Sequence, residues 1–241
     1  KRDILMHEVA LIGKLYQDKI AFVNGIINGD TNQCKTIIEK NGGMYNFEEA
    51  RLTDIKFNFI PTGKKDAFIV SDTFTTTRTS FVKNIEDGKI LKNTIKIVNK
   101  NCDWLHVCYI DDIEEYSNLL LSTTPYSLDF CTIKKRQIYI DIINKAEVIF
   151  DSRERKSLYR FLNTSTPIIF HDENGVEIVK NKKKLISFDN TPIKNLDVNG
   201  AGDIYAAHFI KNYFEMDLNE SSYRAMIDTT KYLQRERHEK I

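Results

Sequence analysis

Short apolar runs and longer amphipathic runs take turns along most of this chain. "EVALIG" (8–13) and "KIAFVNG" (19–25) read as two strands, the second ending at Gly25. "TNQCKTIIEKNGG" (31–43) reads as a helix. Asp30 or Thr31 would cap it, apolar positions recur at Cys34, Ile37 and Ile38, and Gly42-Gly43 would end it. "FNFIP" (57–61), "AFIVSD" (67–72) and "TRTSFV" (77–82) alternate as strands, and "ILKNTIKIV" (90–98) fits helix or strand.

From residue 103 the rhythm is regular. Strands are expected at 103–110, 126–130, 147–150 and 167–171, with helices between them at 111–121, 133–146 and 152–163. Strands alternating with helices predict a doubly wound, mostly parallel α/β sheet. "VEIV" (176–179) and "LISF" (185–188) flank "KNKKK" and read as a hairpin with a solvated lysine turn. Two helices follow, near 202–214 and 219–236, the last with a solvated face of alternating charge.

Composition narrows the classes. The chain has 241 residues, enough for one substantial core, with 41% hydrophobic and 29% charged residues. The 35 basic and 34 acidic residues leave a net charge of +1, which argues against a chain built chiefly to hold nucleic acid. No apolar run is long enough for a membrane span. The start, "KRDILMHEVALIG", has a short apolar run interrupted by His7-Glu8 and no small-residue cleavage site, so no signal peptide is read there. It lacks an initiating Met, so a few residues are expected to precede it. Cys34, Cys102, Cys108 and Cys131 form no CxxC pair and no zinc spacing. They read as buried free thiols, as in a reducing, cytosolic setting.

The candidate chemistry gathers at "LDVNGAGD" (196–203), directly before the apolar run "IYAAHFI". Gly200, Ala201 and Gly202 stand where a helix begins, and open N–H groups with a helix dipole behind them make an anion site. An acid is out of place beside an anion site unless it acts as a base. Asp203 either takes a proton from an attacking hydroxyl while the amides hold a phosphoryl group, or simply serves the helix dipole. No Gly-Lys-Ser/Thr follows, so this is not a Walker A loop.

These residues resemble the C-terminal signature of the ribokinase-like (pfkB) carbohydrate kinases, Asp-Thr-x-Gly-Ala-Gly-Asp before an apolar helix. Here the Thr is Val198, and Asn199 is similar to the adenosine kinase branch. Looser likenesses follow in the family's order. Asp18 after the first strand matches the substrate-contacting Asp. Gly29 and Asn32, with Asp30 for the second Gly, resemble the Gly-Gly-x-x-x-Asn substrate loop. Asp151-x-x-Glu154 resembles Asn-x-x-Glu, which helps place magnesium and phosphate. Gly175 survives from the Thr-x-Gly-x-x-Gly segment beside the nucleotide, where Phe170 and Asp172 replace the Thr and the first Gly.

The resemblance implies one ribokinase-like domain over 1–241, with a small β lid from parts of 14–30 and 57–83. It implies an ATP-dependent, magnesium-assisted kinase acting on a hydroxyl of a sugar or nucleoside. Asp203 is then the base, Gly200, Ala201 and Gly202 the anion hole, Asp18, Gly29 and Asn32 the acceptor site, Asn199 and Gly175 the nucleotide side, and Glu154 with Asp151 the metal side. The lid often pairs between subunits in this family, which implies a homodimer; no nucleic acid or membrane partner is implied. The chain is shorter than is usual for the family. The expected losses are a strand and helix after Gly43 and a segment after Ile241 that closes the adenine pocket. The altered nucleotide segment also fits a second class, a weak or inactive relative that binds a sugar or nucleotide or serves as an assembly partner.

Several residues have a plainer reading. Asp18 fits a turn, and Asn32 an exposed first turn. Asp151 and Glu154 form a D-x-x-E capping arrangement as well as a metal-side pair. Arg78 reaches substrate from a strand or lies on a surface edge. His106 and Trp104 read as core, His208 as facing away from Asp203, and Asp111-Asp112 as a helix start.

Overall fold

Successive residues of a strand point to opposite faces, so a run of consecutive buried apolar residues needs cover on both sides. Val9, Ala10, Leu11 and Ile12 are such a run, each wholly buried. Val9 and Leu11 join one apolar cluster, and Ala10 and Ile12 join another across the sheet. The computed structural model that shows this describes residues 6–26, 31–72, 74–75, 77–193 and 197–237. Its strands are β1 (His7–Val23), β2 (Thr36–Gly43), β3 (Ile55–Asp72), β4 (Thr77–Glu86), β5 (Trp104–Val107), β6 (Tyr126–Asp129), β7 (Val148–Ser152), β8 (Ile168–Asp172), β9 (Gly175–Lys180) and β10 (Lys183–Asp189). Its α-helices are α1 (Lys92–Asn101), α2 (Ile140–Lys145), α3 (Ala201–Tyr213) and α4 (Leu218–Arg237).

The strands form one sheet in the order β10-β9-β8-β7-β6-β5-β1-β3-β4, with β2 also paired to β1. From β3 through β1 and β5 to β8 every pairing is parallel. The hairpin β9–β10, strand β4 and strand β2 pair antiparallel. Helices α3 and α4 and the 3-10 turn Met44–Ala50 cover one face. Helices α1 and α2 cover the other. This is the doubly wound sheet that the alternating rhythm predicts. Trp104 and His106 are buried on β5, with His106 hydrogen-bonded to Ser127 Oγ at 2.8 Å, so the core reading of both holds. Among the described residues no helix is long and apolar enough to cross a membrane.

The two strands expected at 8–13 and 19–25 are one. β1 runs 17 residues and β3 18, parallel throughout, with a register slip at Gly13/Lys14. A side chain at Gly13 would meet the Cys108 carbonyl oxygen at 3.0 Å, which holds that position to glycine. β5 pairs with β1 only from Val9 to Ile12. Past the slip, β1 and β3 continue with β2 and β4 into a four-stranded flap. Ile20, Phe22, Ala67 and Ile69 form its small core. Ile37, Phe68, Phe81 and Ile85 lie exposed on it.

The expected helix at 31–43 is corrected to strand β2. Cys34, Ile37 and Ile38 mimic helical spacing, but Thr36-Ile37-Ile38 is a β-branched run. It pairs with β1, Ile38 opposite Ile20 and Ile37 opposite Ala21. Distant pairing overrode the local period. The connecting helices at 111–121, 133–146 and 152–163 are mostly 3-10 turns, at Ile110–Asp112, Ser117–Leu121, Arg136–Tyr139 and Arg153–Tyr159. In the second of these helices Arg136 and Tyr139 both turn inward three residues apart, a 3-10 spacing, and α2 begins only at Ile140. The ambiguous segment at 90–98 is helix α1. The lysine turn is exposed, with Asn181 and Lys182 left-handed as a tight hairpin requires. All four cysteines are free, but only Cys108 is buried; Cys102 and Cys131 are half-buried, and Cys34 is exposed at the start of the flap.

Candidate active site

A cleft of about 640 Å³ opens along the carboxyl ends of β5 to β8. Ligands of open α/β sheets bind at this edge. The turn before α3 forms one wall. Gly200 is left-handed, with φ 73°, and a side chain there would meet Asn46 at 2.6 Å. A side chain at Gly202 would meet the His171 ring at 3.0 Å. Glycine is thus required at one position by conformation and at the other by close approach. No side chain caps α3. The Ala201 amide closes on the Val198 carbonyl at 3.1 Å. The amides of Gly200, Gly202 and Asp203 have no partner among the described residues. The open set therefore includes Asp203 in place of Ala201, because the left-handed turn ties Ala201 back onto Val198.

Asp203 is 2% exposed in the first turn of α3. Its carboxylate accepts from Asn46 Nδ2 at 2.8 Å and from the Tyr109 hydroxyl at 2.8 and 2.9 Å. Tyr109 reaches it from the end of β5 in a left-handed conformation, φ 59°, uncommon for a bulky residue and costing backbone strain. Burial pushes the Asp203 carboxyl up to about 6, against the pull of the two donors and of the Arg78 charge. Arg78, on β4, lines the cleft and donates to Asn199 Oδ1 at 3.3 Å, so it reaches the site rather than only the strand edge.

The flap carries Asp18, 6% exposed and directly above Gly42, where any side chain would collide with its carboxylate. Burial raises Asp18 to about 6, with Lys40 and Arg78 pulling it down. Lys40 and Arg78 act on Asp203 as well, so the two acids share one electrostatic surrounding. Gly42 and Gly43 end β2, and Asn46 follows in the next turn.

Asp151 and Glu154 face different ways. Glu154 is exposed and lines the cleft. Asp151 is wholly buried behind it and does not. Its carboxylate accepts from Arg136 at 2.7 and 3.1 Å, from Arg155 at 2.6 Å, from the Tyr159 hydroxyl at 2.7 Å and from the Ser152 amide at 2.8 Å. Arg136 also reaches Asp111 at 3.1 Å, and Asp111 accepts from the amides of Cys131 and Thr132. Asp151 is therefore corrected from a metal-side acid to the anchor of two arginines. It is not a helix cap either, since the turn starts from Ser152 without a side-chain cap. Asp111 likewise serves Arg136 rather than starting an α-helix. Asp129, at the end of β6, lines the cleft. Burial pushes it well above the usual carboxylate range, and the charges of Asp203 and Asp151 add to the shift.

Val176 of β9 and Met226, Thr229 and Leu233 of α4 also line the cleft. Gly175 itself does not line the cleft. Its φ of 134° and the Phe188 carbonyl, 2.1 Å from where a side chain would begin, show that hairpin pairing demands it. Asn199 does not line the cleft itself; its amide and side-chain nitrogen donate to Asp197 Oδ1, and its Oδ1 accepts from Arg78.

Comparison with solved structures settles the fold. A ribokinase from Thermotoga maritima is 13% identical, with a TM-score of 0.63 over 95% of this chain and 92% of its own. A Methanocaldococcus jannaschii nucleoside kinase of the ribokinase family is 15% identical, with a TM-score of 0.63 over 98% and 94%. A putative ribokinase II from E. coli is 12% identical, with a TM-score of 0.69 over 98% and 95%. The chain has the ribokinase-like fold. No protein-family model and no curated protein sequence matches it.

Gly29 lies outside the described residues. Asn32 is exposed and does not line the cleft. Gly42-Gly43-Met44-Tyr45-Asn46 carries the same glycine pair and an Asn one residue sooner, and it packs on both Asp18 and Asp203. Asn46, unlike Asn32, thus stands at the candidate site. The 3-10 turn Met44–Ala50 stands where a ribokinase-like strand and helix are expected before β3. Asn46, Tyr109, Asp129, Arg155 and His171 are site residues that sequence reading missed. Only Asn46, close behind a glycine pair, carried a signal.

Among the described residues no group of three His, Cys, Asp or Glu side chains could cage a metal ion. A magnesium ion carried on nucleotide phosphates needs one or two carboxylates rather than a cage. Glu154, exposed and lining the same cleft as the open amides, is a carboxylate of that kind.

Proposed function

We propose that this protein is an ATP-dependent kinase that moves the γ-phosphoryl group to a hydroxyl of a sugar or nucleoside. The observation that carries this reading is Asp203: a buried carboxylate, held by neutral donors, at the mouth of three open helix amides. Solved structures of the same fold include a nucleoside kinase in complex with inosine and a ribokinase in complex with ADP.

Asp203 takes the acceptor's hydroxyl proton as its oxygen bonds to the γ-phosphorus. The bond from that phosphorus to ADP breaks, and its electron pair leaves with ADP. A carboxylate titrating at about 6 is ionised at neutral pH yet more basic than an exposed one. The amides of Gly200, Gly202 and Asp203 face the charge on the phosphoryl group. Bound MgATP would supply that group with part of its charge neutralised. Glu154 would hold the metal through water. Asp18, Gly42, Gly43 and Asn46 would bind acceptor hydroxyls, and the slot between Val176 and Leu233 would take the base. The flap would act as the lid of the domain, and its exposed Phe81 and Ile85 would pair with a second copy. Closure over the acceptor would exclude water.

The test is ATP consumption with Mg²⁺ against a panel of sugars and nucleosides, with Asp203→Ala beside the wild type. Turnover with one acceptor, lost in the variant, supports the kinase. Binding of a panel member by calorimetry without turnover would replace it with a sugar- or nucleotide-binding relative.

A further inference from the structure

Asp203 is held by two donors that lie far apart in sequence, Asn46 and Tyr109. Both come from segments that pack on one residue, Tyr16. A side chain at Gly43, just before the turn that carries Asn46, would meet the Tyr16 ring at 2.8 Å, so the backbone leading to Asn46 lies against that ring. The Tyr109 ring meets Tyr16 edge-on, with centroids 5.7 Å apart and planes at 80°. Tyr16 itself does not line the cleft.

Tyr16 is fixed in turn by Asp112. Its hydroxyl donates to Asp112 Oδ2 at 2.5 Å, and Lys65, its partner in the β1–β3 register, pairs with Asp112 Oδ1. Burial pushes the Tyr16 hydroxyl well up, so it stays a donor through the neutral range. Asp112 also closes the turn after β5, its amide donating to the Tyr109 carbonyl at 2.8 Å. Tyr109 is left-handed, and a strained backbone persists only where its surroundings over-determine it. Asp112 and the Tyr16 ring are such surroundings. Tyr16 and Lys65 lie just past the register slip, where β1 and β3 run into the flap.

Resting on the kinase reading above, we infer that Tyr16 is a positioning residue: it ties the root of the flap to Tyr109 and to the turn of Asn46, so that the seating of the flap sets how Asp203 is held. Tyr16 acts only through those two donors. A hydrogen bond to a carboxylate favours its charged form, so loosening a donor raises the carboxyl's pKa. Arg78 and Lys40 on the flap, Asp129 on β6 and Cys108 beyond β5 are the other charged or titratable groups that face Asp203. A neutral substitution at Tyr16 adds and removes no charge among them.

The test needs no substrate. Carbon NMR of the full chain, labelled at aspartate carboxyls, follows Asp203 through a pH titration, its signal assigned by its loss in Asp203→Asn. Tyr16→Phe removes the hydroxyl and keeps the ring. It should raise the Asp203 midpoint by about 0.5 pH unit or more, in the same direction as Tyr109→Phe. Because the hydroxyl acts through Tyr109, the double variant should move the midpoint no further than Tyr109→Phe alone. Asp112→Asn should shift it the same way and serves if Tyr16→Phe does not fold. Tyr126→Phe, which loses a buried hydroxyl bond to the Ile142 carbonyl in the core on the other face of the sheet, should leave it in place. A wild-type midpoint in folded Tyr16→Phe or Asp112→Asn would overturn the inference, and so would an equal shift in Tyr126→Phe. Either result leaves the kinase reading standing; that reading fails separately, if the wild type turns over no acceptor.

Discussion

Two short segments, 151–155 (DSRER) and 199–203 (NGAGD), each bring an acid to the start of a helical turn and end up with opposite surroundings. Both follow the sheet's carboxyl edge, and both begin a helical turn. At 199–203 the acid faces the cleft, and its partners are the neutral Asn46 and Tyr109. At 151–155 the leading acid faces inward, and its partners are Arg136 and Arg155. Neutral donors hold a carboxylate while leaving it basic. Guanidinium groups hold it and consume it. Partner chemistry, supplied from distant parts of the chain, separates an acid left open to the cleft from a structural one.

The largest effect should come from the segment at 199–203. Asp203→Ala should cut turnover by about 10²–10⁴-fold, the usual share of a general base, with the fold retained. Turnover kept within tenfold would place the base elsewhere.

Next is the structural segment. Asp151→Ala should destabilise the protein by about 3–5 kcal/mol, because Arg136, wholly buried, loses half its counter-charge. Urea unfolding reads this out directly. Replacing Asp111, Arg136 and Asp151 together with apolar residues should recover much of the loss, as buried ionic triads often allow. An Asp151→Ala protein as stable as wild type would contradict the anchoring role.

Asp203 should behave in the opposite way to Asp151 in stability. Its folded pKa of about 6 lies above an unfolded value of about 3.9. Between the two the folded state holds more protons, so stability falls as pH rises through that window. Asp203→Asn should therefore gain up to about 3 kcal/mol at pH 7 and almost nothing below pH 4, seen as a shift in Tm. A gain independent of pH would point to packing instead of charge.

The smallest effect should be Tyr109→Phe, with about a tenfold loss in turnover. The Tyr109 hydrogen bond lowers the Asp203 pKa, so its loss should move the ascending limb of the pH–rate profile above about 6. An unmoved limb would separate Tyr109 from the base.

Much of the fold was legible because it rests on local periodicity. The strands from β5 to β8 are short apolar runs between polar breaks, and both faces of the sheet are covered, so the pattern survives intact. The hairpin β9–β10 and helices α3 and α4 carried their own turn and helix signals. The flap was harder. β2 has a helical spacing of apolar residues and became a strand because β1 was there to pair with it. β1 and β3 looked like four strands because a register slip at Gly13 divides their pattern without ending them.

The sequence by itself determined the glycine turn and the acid that follows it. Gly200, Gly202 and Asp203 lie within four residues, and their conformation follows from a local turn running into an apolar helix. Only the tertiary structure decided which other residues join them. Asn46 lies 157 positions from Asp203, and Tyr109 94 positions from it, in sequence. Asp151 was taken out of the site by Arg136, 15 residues before it. Local sequence specifies a backbone's turn, but a side chain's direction is settled by the charge and space it meets, and both are contributed by chain that folds in from elsewhere.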